Sequence, residues 1–295
     1  MNILLAGGTG YLGSHLRKKL HEEGCRVTLV VRKEPDLKSG EKCIYWNDLS
    51  SPEILDEKFD AVINLAGKSI RCRDTNKNRE KILSSRLETT SALAKFMSAT
   101  KQKPEVWINA SATGFYGETG ESMADESSPP GNTFFAGVCQ KWEAAVKAPG
   151  VRQVLLRTGV VIGKASPLLK ISRLLVWLGL GGRQGSGKQL FSWVHEDDFV
   201  SSVWFLLKNT GCEGPYNICA PVPATNKMFQ AELRKSLGFP FGISSPEFLI
   251  KAGGFITGMP ANLVLESLGA KPKKLIDDGF QFAYPSLTEA LKASK

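Results

Sequence analysis

Three glycines spaced three residues apart, directly after a short apolar run, constrain this sequence more than any other feature. The run Ile3–Ala6 predicts a buried strand, and Gly7, Gly10 and Gly13 follow it in the segment GGTGYLG. A helix predicted from Tyr11 to Glu23 begins inside that segment. The first free N–H groups of a helix placed in this way bind phosphate oxygens. The segment therefore predicts a dinucleotide-binding turn.

The three glycines have separate physical roles in such a turn. Gly7 allows the tight bend, Gly10 lets the backbone approach a pyrophosphate, and Gly13 lets the helix pack close to the strand. A glycine triplet alone is a weak signal, and the flanking strand and helix give it weight. A βα turn without a ligand is the alternative interpretation.

Strands and helices alternate from the first residue to about residue 160. Further strands are predicted at Arg26–Val31, Phe59–Leu65, Val106–Ser111 and Gln153–Arg157, and helices at Asn76–Ala99 and Thr133–Lys147. Such alternation requires crossover connections and a parallel sheet. The predicted fold class is therefore α/β, with a doubly wound, mostly parallel Rossmann-type sheet.

The regular pattern loosens in the C-terminal part of the chain. The predicted elements are a helix at Glu196–Leu207 capped by Asp197 or Asp198, a strand at Pro215–Cys219, and helices at Asn226–Leu237 and Pro246–Gly253. Residues 1–165 are therefore assigned to the dinucleotide-binding domain, to which the chain returns near residues 190–220. Residues 166–295 are assigned to a small mixed lobe on the substrate side.

The residues that end the second predicted strand indicate which dinucleotide binds. Sites that prefer NAD place an acid there, about 20 residues after the glycines, to accept from the ribose hydroxyls. Here the sequence reads Val31-Arg32-Lys33, and two cations attract a 2′-phosphate. Glu34 follows directly and is close enough to swing in. NADP(H) is therefore the predicted cofactor, with NAD as the alternative.

The segment Asn64-Leu65-Ala66-Gly67 ends a strand beside the point where the strand order is expected to reverse. Small residues there let the backbone run past the adenine and ribose of a dinucleotide. Ordinary packing at a strand end explains the same residues equally well. Leu65, Ala66 and Gly67 are therefore candidate cofactor contacts.

Charge and cysteine content narrow the class of partner. The net charge is +9, but the Lys and Arg residues are spread along the chain without a basic motif interleaved with aromatic residues. A basic pocket for phosphates is therefore favoured, and no nucleic-acid partner is expected.

The six cysteines form no CxxC pair and the three histidines are dispersed. No metal site is expected, and the cysteines are interpreted as free thiols in a reducing compartment.

Apolar runs and the start of the sequence predict the location of the protein. The longest apolar run, around Leu174–Leu180, is cut short by glycines, so neither a spanning segment nor a membrane partner is expected. A strand begins almost at once, without a basic leader or an apolar signal core. A cytoplasmic protein is therefore expected, with an organelle matrix as the alternative for a processed chain.

Six segments together resemble the extended and atypical branch of the short-chain dehydrogenase/reductase superfamily. They are GGTGYLG at 7–13, NLAG at 64–67, SRLETT at 85–90, SATGFYG at 111–117, LRTGVVIG at 156–163 and SWVHEDDF at 192–199. More narrowly, the chain is similar to epimerase-like proteins described as nucleoside-diphosphate-sugar epimerases or SulA-type cell-division inhibitors. Those proteins carry a C-terminal domain of unknown function, which is matched here from about residue 244 to residue 292.

The resemblance implies contacts along the whole cofactor. It places Thr9, Gly10, Tyr11 and Leu12 on the pyrophosphate, Arg32 on the 2′-phosphate, and Leu65, Ala66, Arg86 and Val160 along the rest. Arg86 also has a physical interpretation of its own, because an arginine at the inner end of a helix reaches a phosphate; a helix-face ion pair is the alternative. The resemblance further implies a small-molecule substrate and a homodimer formed through two helices of each subunit.

The catalytic pair of active extended members is missing from this sequence. Those enzymes place a tyrosine and, four residues later, a lysine on one helix; the lysine lowers the tyrosine pKa and the phenol transfers a proton. Counting back from Glu143, these positions hold Phe135 and Cys139. Phenylalanine has no proton to transfer, and cysteine carries no cation. Lys141 lies on another face of the helix.

Three interpretations of this loss are open. In the first, Tyr116, beside Ser111 and Thr113 in the loop after the fifth strand, acts as the acid or base; a packing tyrosine is the alternative. In the second, the reaction needs no such acid, as in the reduction of an activated double bond. In the third, the protein is a cofactor-sensing or scaffolding module without turnover. The favoured function is an NADP(H)-binding oxidoreductase- or epimerase-like enzyme, and the alternative is a non-catalytic NADP(H)-binding regulator of cell or organelle division.

Three further sets of polar residues are weaker candidates. His195 has a side chain suited to acid–base work near neutrality, although a lone histidine is more often a structural hydrogen-bonding group. Arg183 and Lys188 lie in a glycine-rich loop and suit a diphosphate or a solvated surface equally. The acidic residues of the loop 118–126 are interpreted as solvated.

Overall fold

A computed structural model describes residues 1–257 and 260–295 of the chain. The first half contains β1 (Asn2–Ala6), α1 (Tyr11–Glu22), β2 (Arg26–Val31), β3 (Glu41–Tyr45), α2 (Pro52–Asp56), β4 (Ala61–Asn64), α3 (Asn76–Ala99), β5 (Val106–Ala112), α4 (Phe134–Ala144) and β6 (Arg152–Thr158). The second half contains β7 (Val160–Ile162), α5 (Pro167–Trp177), β8 (Leu190–Phe191), β9 (Trp193–His195), α6 (Glu196–Lys208), β10 (Gly214–Ile218), β11 (Ala224–Thr225), α7 (Asn226–Leu237), α8 (Glu247–Thr257), α9 (Asn262–Leu265), α10 (Lys273–Asp277) and α11 (Leu287–Ala293).

Seven of the strands form one central sheet in the order β10-β6-β5-β4-β1-β2-β3, and every neighbouring pair is parallel. The predicted doubly wound Rossmann-type sheet is therefore confirmed. The strand order reverses at β1, which has β2 on one side and β4 on the other. The loops after β1 and β4 meet at this switch point, where open α/β sheets bind their ligands.

Two apolar cores cover the two faces of the sheet. On one face, α1 and α6 pack through side chains such as Leu16, Leu20 and Val203. On the other face, α3 packs through Leu93 and Phe96 against Trp107 and its neighbours. Burial on both faces explains why the central strands β1, β2 and β4 are mostly apolar rather than alternating.

A third core forms the C-terminal lobe around the buried ring of Trp193. It gathers apolar side chains from α5, α7 and α11. Two small sheets connect the lobe to the rest of the chain: β7 pairs in parallel with β9, and β11 pairs with β8 in the antiparallel sense. Asp198 of α6 fastens the final segment, because its carboxylate accepts the backbone N–H groups of Ala283 and Tyr284 at 2.7 and 2.9 Å.

Several predicted boundaries were wrong in physically instructive ways. His195 caps α6 instead of Asp197 or Asp198, since its Nδ1 lies 3.3 Å from the backbone N–H of Asp197, which donates to it. The strand β4 is shorter than the predicted Phe59–Leu65. The helix α4 is shorter than Thr133–Lys147, since Thr133 is its N-cap and Ala145 its C-cap. The edge strand β3 was missed because it pairs only with β2 and its side chains are not buried, so its sequence is not an apolar run. Among the described residues, no helix is long and apolar enough to cross a membrane.

Candidate functional site

The turn between β1 and α1 has the shape that the glycine spacing predicts. Gly7 has a φ of 81°, in the left-handed region that favours glycine. A Cβ at Gly7 would lie 2.6 Å from the carbonyl carbon of Leu65, and a Cβ at Gly13 would lie 2.1 Å from the carbonyl oxygen of Gly7. The turn therefore admits no side chain at either position.

Gly10 leaves the outer side of this turn open. A Cβ there would meet the carbonyl oxygen of Gly7 at an ordinary 3.4 Å. Gly10 is also the N-cap of α1, which has neither a side-chain cap nor an acidic residue in its first turn. The first N–H groups of α1 therefore have no side-chain acceptor, and they face the position expected for a pyrophosphate. Thr9 is exposed and Leu12 half-buried at the same opening.

Tyr11 and His15 of α1 meet a carboxylate that sequence reasoning did not single out. The Tyr11 hydroxyl donates to Glu196 of α6, and His15 Nε2 lies 3.3 Å from the same carboxylate. Glu196 also accepts the backbone N–H of Lys164 at 3.1 Å, and burial together with this carboxylate raises the pKa of the Tyr11 phenol. Glu196 lies 185 residues from Tyr11, so no local pattern could have revealed the contact.

The end of β2 presents two cations at the same edge of the sheet as the phosphate turn. Val31 is buried, and Arg32, Lys33 and Glu34 are exposed. Within the described part of the chain, the side chains of Arg32 and Lys33 form no ion pair or hydrogen bond. Both cations are therefore available to an anionic ligand.

A buried amide network fixes the segment that follows β4. Asn64 Oδ1 accepts the backbone N–H of Ala66 at 3.0 Å, and Asn64 Nδ2 donates to Asn109 Oδ1 at 2.8 Å. The network holds Leu65 and Ala66 against Gly7, with Gly67 exposed beyond them. These predicted contacts therefore lie beside the phosphate turn, as a dinucleotide would require.

Arg86 is a half-buried cation without a carboxylate partner in the described part of the chain. Its Nη1 donates to the carbonyl oxygens of Lys68 and Ile82 at 3.1 and 2.9 Å, and its guanidinium lies 4.9 Å from the centre of the Trp142 ring. Burial lowers its pKa. Since carbonyl groups offset only part of a buried charge, Arg86 is suited to an anionic or strongly polar ligand.

Val160 lies at the opposite end of the predicted cofactor site. It is the first residue of β7, and its backbone N–H donates to Ser192 at 2.8 Å. Its side chain is 41% exposed. The position follows one residue after Thr158, which ends β6, and the resemblance placed Val160 along the part of the cofactor beyond its phosphates.

Tyr116 sits in a buried network rather than at an open surface. Its hydroxyl donates to Asn217 Oδ1 at 2.7 Å and accepts from Arg157 Nη1 at 3.1 Å. The side chain is 5% exposed, and burial raises the pKa of the phenol to about 12. At neutral pH the phenol is therefore protonated and has protein partners on both sides.

Ser111 belongs to the same network through Glu143. The Ser111 hydroxyl donates to Glu143 Oε1 at 2.6 Å, and Arg157 forms two bonds to that carboxylate at 3.0 and 2.9 Å. The Arg157 guanidinium also lies 3.5 Å from the centre of the Phe115 ring. The structure thus brings Ser111 and Tyr116 together through Arg157 and Glu143, and sequence reasoning had given neither of these two a functional role.

The two positions that the sequence assigned to the catalytic pair, Phe135 and Cys139, lie on α4 near the end of β5. Phe135 is half-buried, and its Cβ would lie 3.7 Å from a Cβ built at Gly114. Cys139 is 4% exposed, and burial raises the pKa of its thiol to about 11. The thiol is therefore neutral near pH 7 and cannot replace the lysine cation.

The weaker candidates take structural roles. His195 is buried and its ring lies 4.0 Å from that of Tyr284, and burial lowers its pKa. Arg183 donates to carbonyl oxygens of its own loop. Glu126 accepts the backbone N–H of Asn217 at 3.0 Å, so the acidic loop is only partly solvated. The described residues contain no group of three His, Cys, Asp or Glu side chains that could hold a metal ion.

Comparison with known proteins agrees with this geometry. The model of the NAD dependent epimerase/dehydratase family matches residues 3–219, and that of a domain of unknown function (DUF1731) matches residues 245–294. The mouse epimerase family protein SDR39U1 is 36% identical over 299 residues, covering 99% of each chain. Epimerase family protein YfhF of Bacillus subtilis (strain 168) is 33% identical, covering 99% of this chain and 97% of its own.

A solved structure extends the likeness to three dimensions. The crystal structure of human epimerase family protein SDR39U1 (isoform 2) with NADPH superposes with a TM-score of 0.91 at 34% identity, covering 100% of this chain and 99% of that one. The predicted resemblance, including the C-terminal segment, is therefore confirmed. This chain belongs to the NAD dependent epimerase/dehydratase family.

Proposed function

We propose that the protein binds NADP(H) at the switch point of its sheet and acts as an oxidoreductase- or epimerase-like enzyme on a small molecule. The observation that carries the proposal is the open turn at Gly10 without a side-chain cap, together with two cations after β2 that have no ion pair among the described residues. The human relative whose structure contains NADPH supports the choice of cofactor. When bound, NADP(H) would exchange a hydride with the substrate.

Each part of the site has a defined role in this proposal. The first turn of α1 binds the pyrophosphate, and Arg32 and Lys33 bind the 2′-phosphate. Leu65–Gly67 pass beside the adenosine half, and Arg86 and Val160 lie along the rest of the cofactor. Tyr116 and Ser111 are proposed as the residues closest to the chemistry, with Arg157 and Glu143 holding them in place.

A second candidate function is a non-catalytic NADP(H)-binding regulator. The occupants of the catalytic-pair positions favour it, because Phe135 and the neutral Cys139 cannot perform proton transfer. The pKa of about 12 for Tyr116 favours it as well, since a general acid or base works best with a pKa near the operating pH. Reduction of an activated double bond remains compatible with both facts.

Calorimetric titration of ligand-free protein with NADPH and NADH tests the cofactor proposal. We expect NADPH to bind more tightly, and Arg32→Ser with Lys33→Ser to weaken NADPH by about tenfold to a hundredfold, the usual value of charged hydrogen bonds. NADH binding should stay unchanged. Lys81→Ser, which removes an exposed cation from α3, is the matched control. Equal affinity for both nucleotides in the unmodified protein would contradict the proposal.

The enzyme and regulator functions differ in turnover. NADPH oxidation is measured against a panel of carbonyl compounds, activated alkenes and nucleotide sugars. Turnover of any of them supports the enzyme, and tight NADPH binding without turnover supports the regulator.

A cytoplasmic or organelle-matrix location and a homodimer through α3 and α4 are further proposals. The exposed residues of α3 are mostly charged, so such a dimer would depend on ion pairs, and sedimentation in low and high salt tests it.

A further inference from the structure

The C-terminal lobe carries an exposed apolar surface that the proposed function does not use. We call it the apolar patch, and its members are Leu174, Trp177, Leu178, Phe241 and Ile243. Their side chains are between 58 and 73% exposed. Single exposed apolar residues are common on soluble proteins, whereas a contiguous set marks an interaction surface.

Hydrogen bonds and a ring contact show that the patch is contiguous. Ile243 donates its N–H to Gly179 at 2.7 Å and accepts the N–H of Gly182 at 3.1 Å. These bonds place the segment around Ile243 directly beside the end of α5. The ring of Trp177 lies 5.1 Å from that of Phe239, which anchors the tryptophan at the edge of the lobe.

The composition of α5 leaves apolar side chains on its outer face as well as on its inner one. The inner face buries Leu169, Ser172 and Val176 in the lobe core. The outer face nevertheless carries Ile171 and Leu174, which are 40 and 58% exposed. A helix that is apolar on both sides is normally covered on both sides, because water favours neither face.

The charges around the patch are all of one sign over long stretches. Residues 164–195 include five Lys or Arg residues and no Asp or Glu. Residues 233–246 include two Lys or Arg residues and again no Asp or Glu. Lys170, Arg183, Lys188 and Lys235 are exposed. The next acid along the chain, Glu247, is paired with Lys251 at 2.7 Å and adds no net charge. The patch is therefore apolar at its centre and cationic around it.

We propose that the apolar patch binds the surface of an anionic lipid bilayer, with Leu174, Trp177 and Leu178 inserted at the level of the headgroups. Protruding aliphatic and indole side chains surrounded by cations are what interfacial binding uses. Substrate-binding sites, in contrast, are concave pockets. A second copy of the chain would bring like charges face to face. Lying on a bilayer needs no spanning segment, so this surface binding departs from the sequence expectation of no membrane partner.

Vesicle sedimentation and fluorescence test the proposal on the full chain. The vesicles contain either phosphatidylcholine alone or phosphatidylcholine and phosphatidylserine in equal amounts. We expect binding to the anionic vesicles, loss of that binding in high salt, and a blue shift of tryptophan emission. The chain contains six tryptophans, so the spectrum of Trp177→Phe is subtracted to isolate the signal of Trp177.

Matched variants separate the apolar and the cationic contributions. Leu174→Ser with Leu178→Ser should weaken vesicle binding by about tenfold, and Lys170→Gln with Lys188→Gln by about fivefold for each cation removed. Val222→Ser, which changes a 64% exposed apolar residue outside the patch, is the control. NADPH titration of each variant checks that the fold is intact.

Three results would overturn the proposal. The first is equal binding, or no binding, to neutral and anionic vesicles. The second is a dimer formed without lipid and lost in Leu174→Ser with Leu178→Ser, which would assign the patch to a second copy. The third is retention by an acidic polypeptide such as polyglutamate with no binding to vesicles.

Discussion

The substitution Tyr116→Phe distinguishes a structural tyrosine from a catalytic one. It removes a hydroxyl that donates to Asn217 Oδ1 at 2.7 Å and accepts from Arg157 at 3.1 Å, in a side chain only 5% exposed. A buried acceptor left without its donor costs about 1–3 kcal/mol, and a lost bond from a charged donor costs about 1 kcal/mol more. We therefore expect the free energy of unfolding to fall by about 2–4 kcal/mol.

Urea denaturation followed by circular dichroism measures this loss, and thermal melting should show a decrease of about 2–4 °C for each kcal/mol. Tyr45→Phe is the control, because that side chain is 45% exposed. A loss below about 0.5 kcal/mol, within the range of ordinary surface substitutions, would refute the reasoning. A fall in turnover of about a hundredfold or more without loss of stability would instead assign proton transfer to Tyr116.

The pH dependence of stability gives an independent measure of the same hydroxyl. Burial raises the pKa of Tyr116 from 10.0 to about 12. The stability contributed by the neutral phenol is therefore complete below pH 10 and is lost as the pH rises toward 12, because the unfolded chain ionises first. The difference amounts to about 2–3 kcal/mol. The unmodified protein should lose stability more steeply than Tyr116→Phe in this window, and parallel curves would contradict the assignment.

The remaining predictions concern three other contacts. Gly13→Ala places a Cβ 2.1 Å from the carbonyl oxygen of Gly7. The substitution should abolish NADPH binding in calorimetry and lower the free energy of unfolding by about 1–3 kcal/mol. Unchanged NADPH binding would refute the close packing. Glu143→Gln leaves the buried Arg157 without its charge partner and should lower the free energy of unfolding, measured by urea denaturation, by about 3–5 kcal/mol. Asp74→Asn, in the exposed pair with Arg79, is the control and should lower it by less than about 1 kcal/mol. Similar losses for both variants would contradict the role of burial. Arg86→Gln should weaken NADPH by about tenfold in calorimetry, and unchanged affinity would show that Arg86 does not contact the cofactor.

The parts of the fold that the sequence predicted are those with strong local patterns. The central strands β1, β2 and β4 are mostly apolar runs, and α3 begins and ends at the residues that its periodicity indicates. The phosphate turn was equally visible, because its glycines recur at a fixed spacing directly after an apolar strand, and the close contact that requires Gly13 lies within the same strand–turn–helix unit. The contact that requires Gly7 comes from Leu65 after β4 and was not visible in the sequence. Local chemistry was sufficient for these elements.

The contacts that escaped prediction join residues far apart in the sequence. Asn217 lies 101 residues from Tyr116, and nothing near either residue indicates their hydrogen bond. The ion pair of Arg157 with Glu143 was hidden for a similar reason, since each residue alone resembles an ordinary surface charge. The short strands of the lobe contain only two or three residues, too few to show a period.

One carboxylate, that of Glu196, accepts from the phenol at the start of the first helix and from the backbone at Lys164, on the way into the lobe. A rigid-body rotation that separated α1 from the segment at Lys164 would leave one of these two donors without an acceptor, at a cost of about 1–3 kcal/mol. The carboxylate therefore couples the first helix to the entry of the lobe, and motion of the lobe away from the proposed nucleotide site should be disfavoured by that amount.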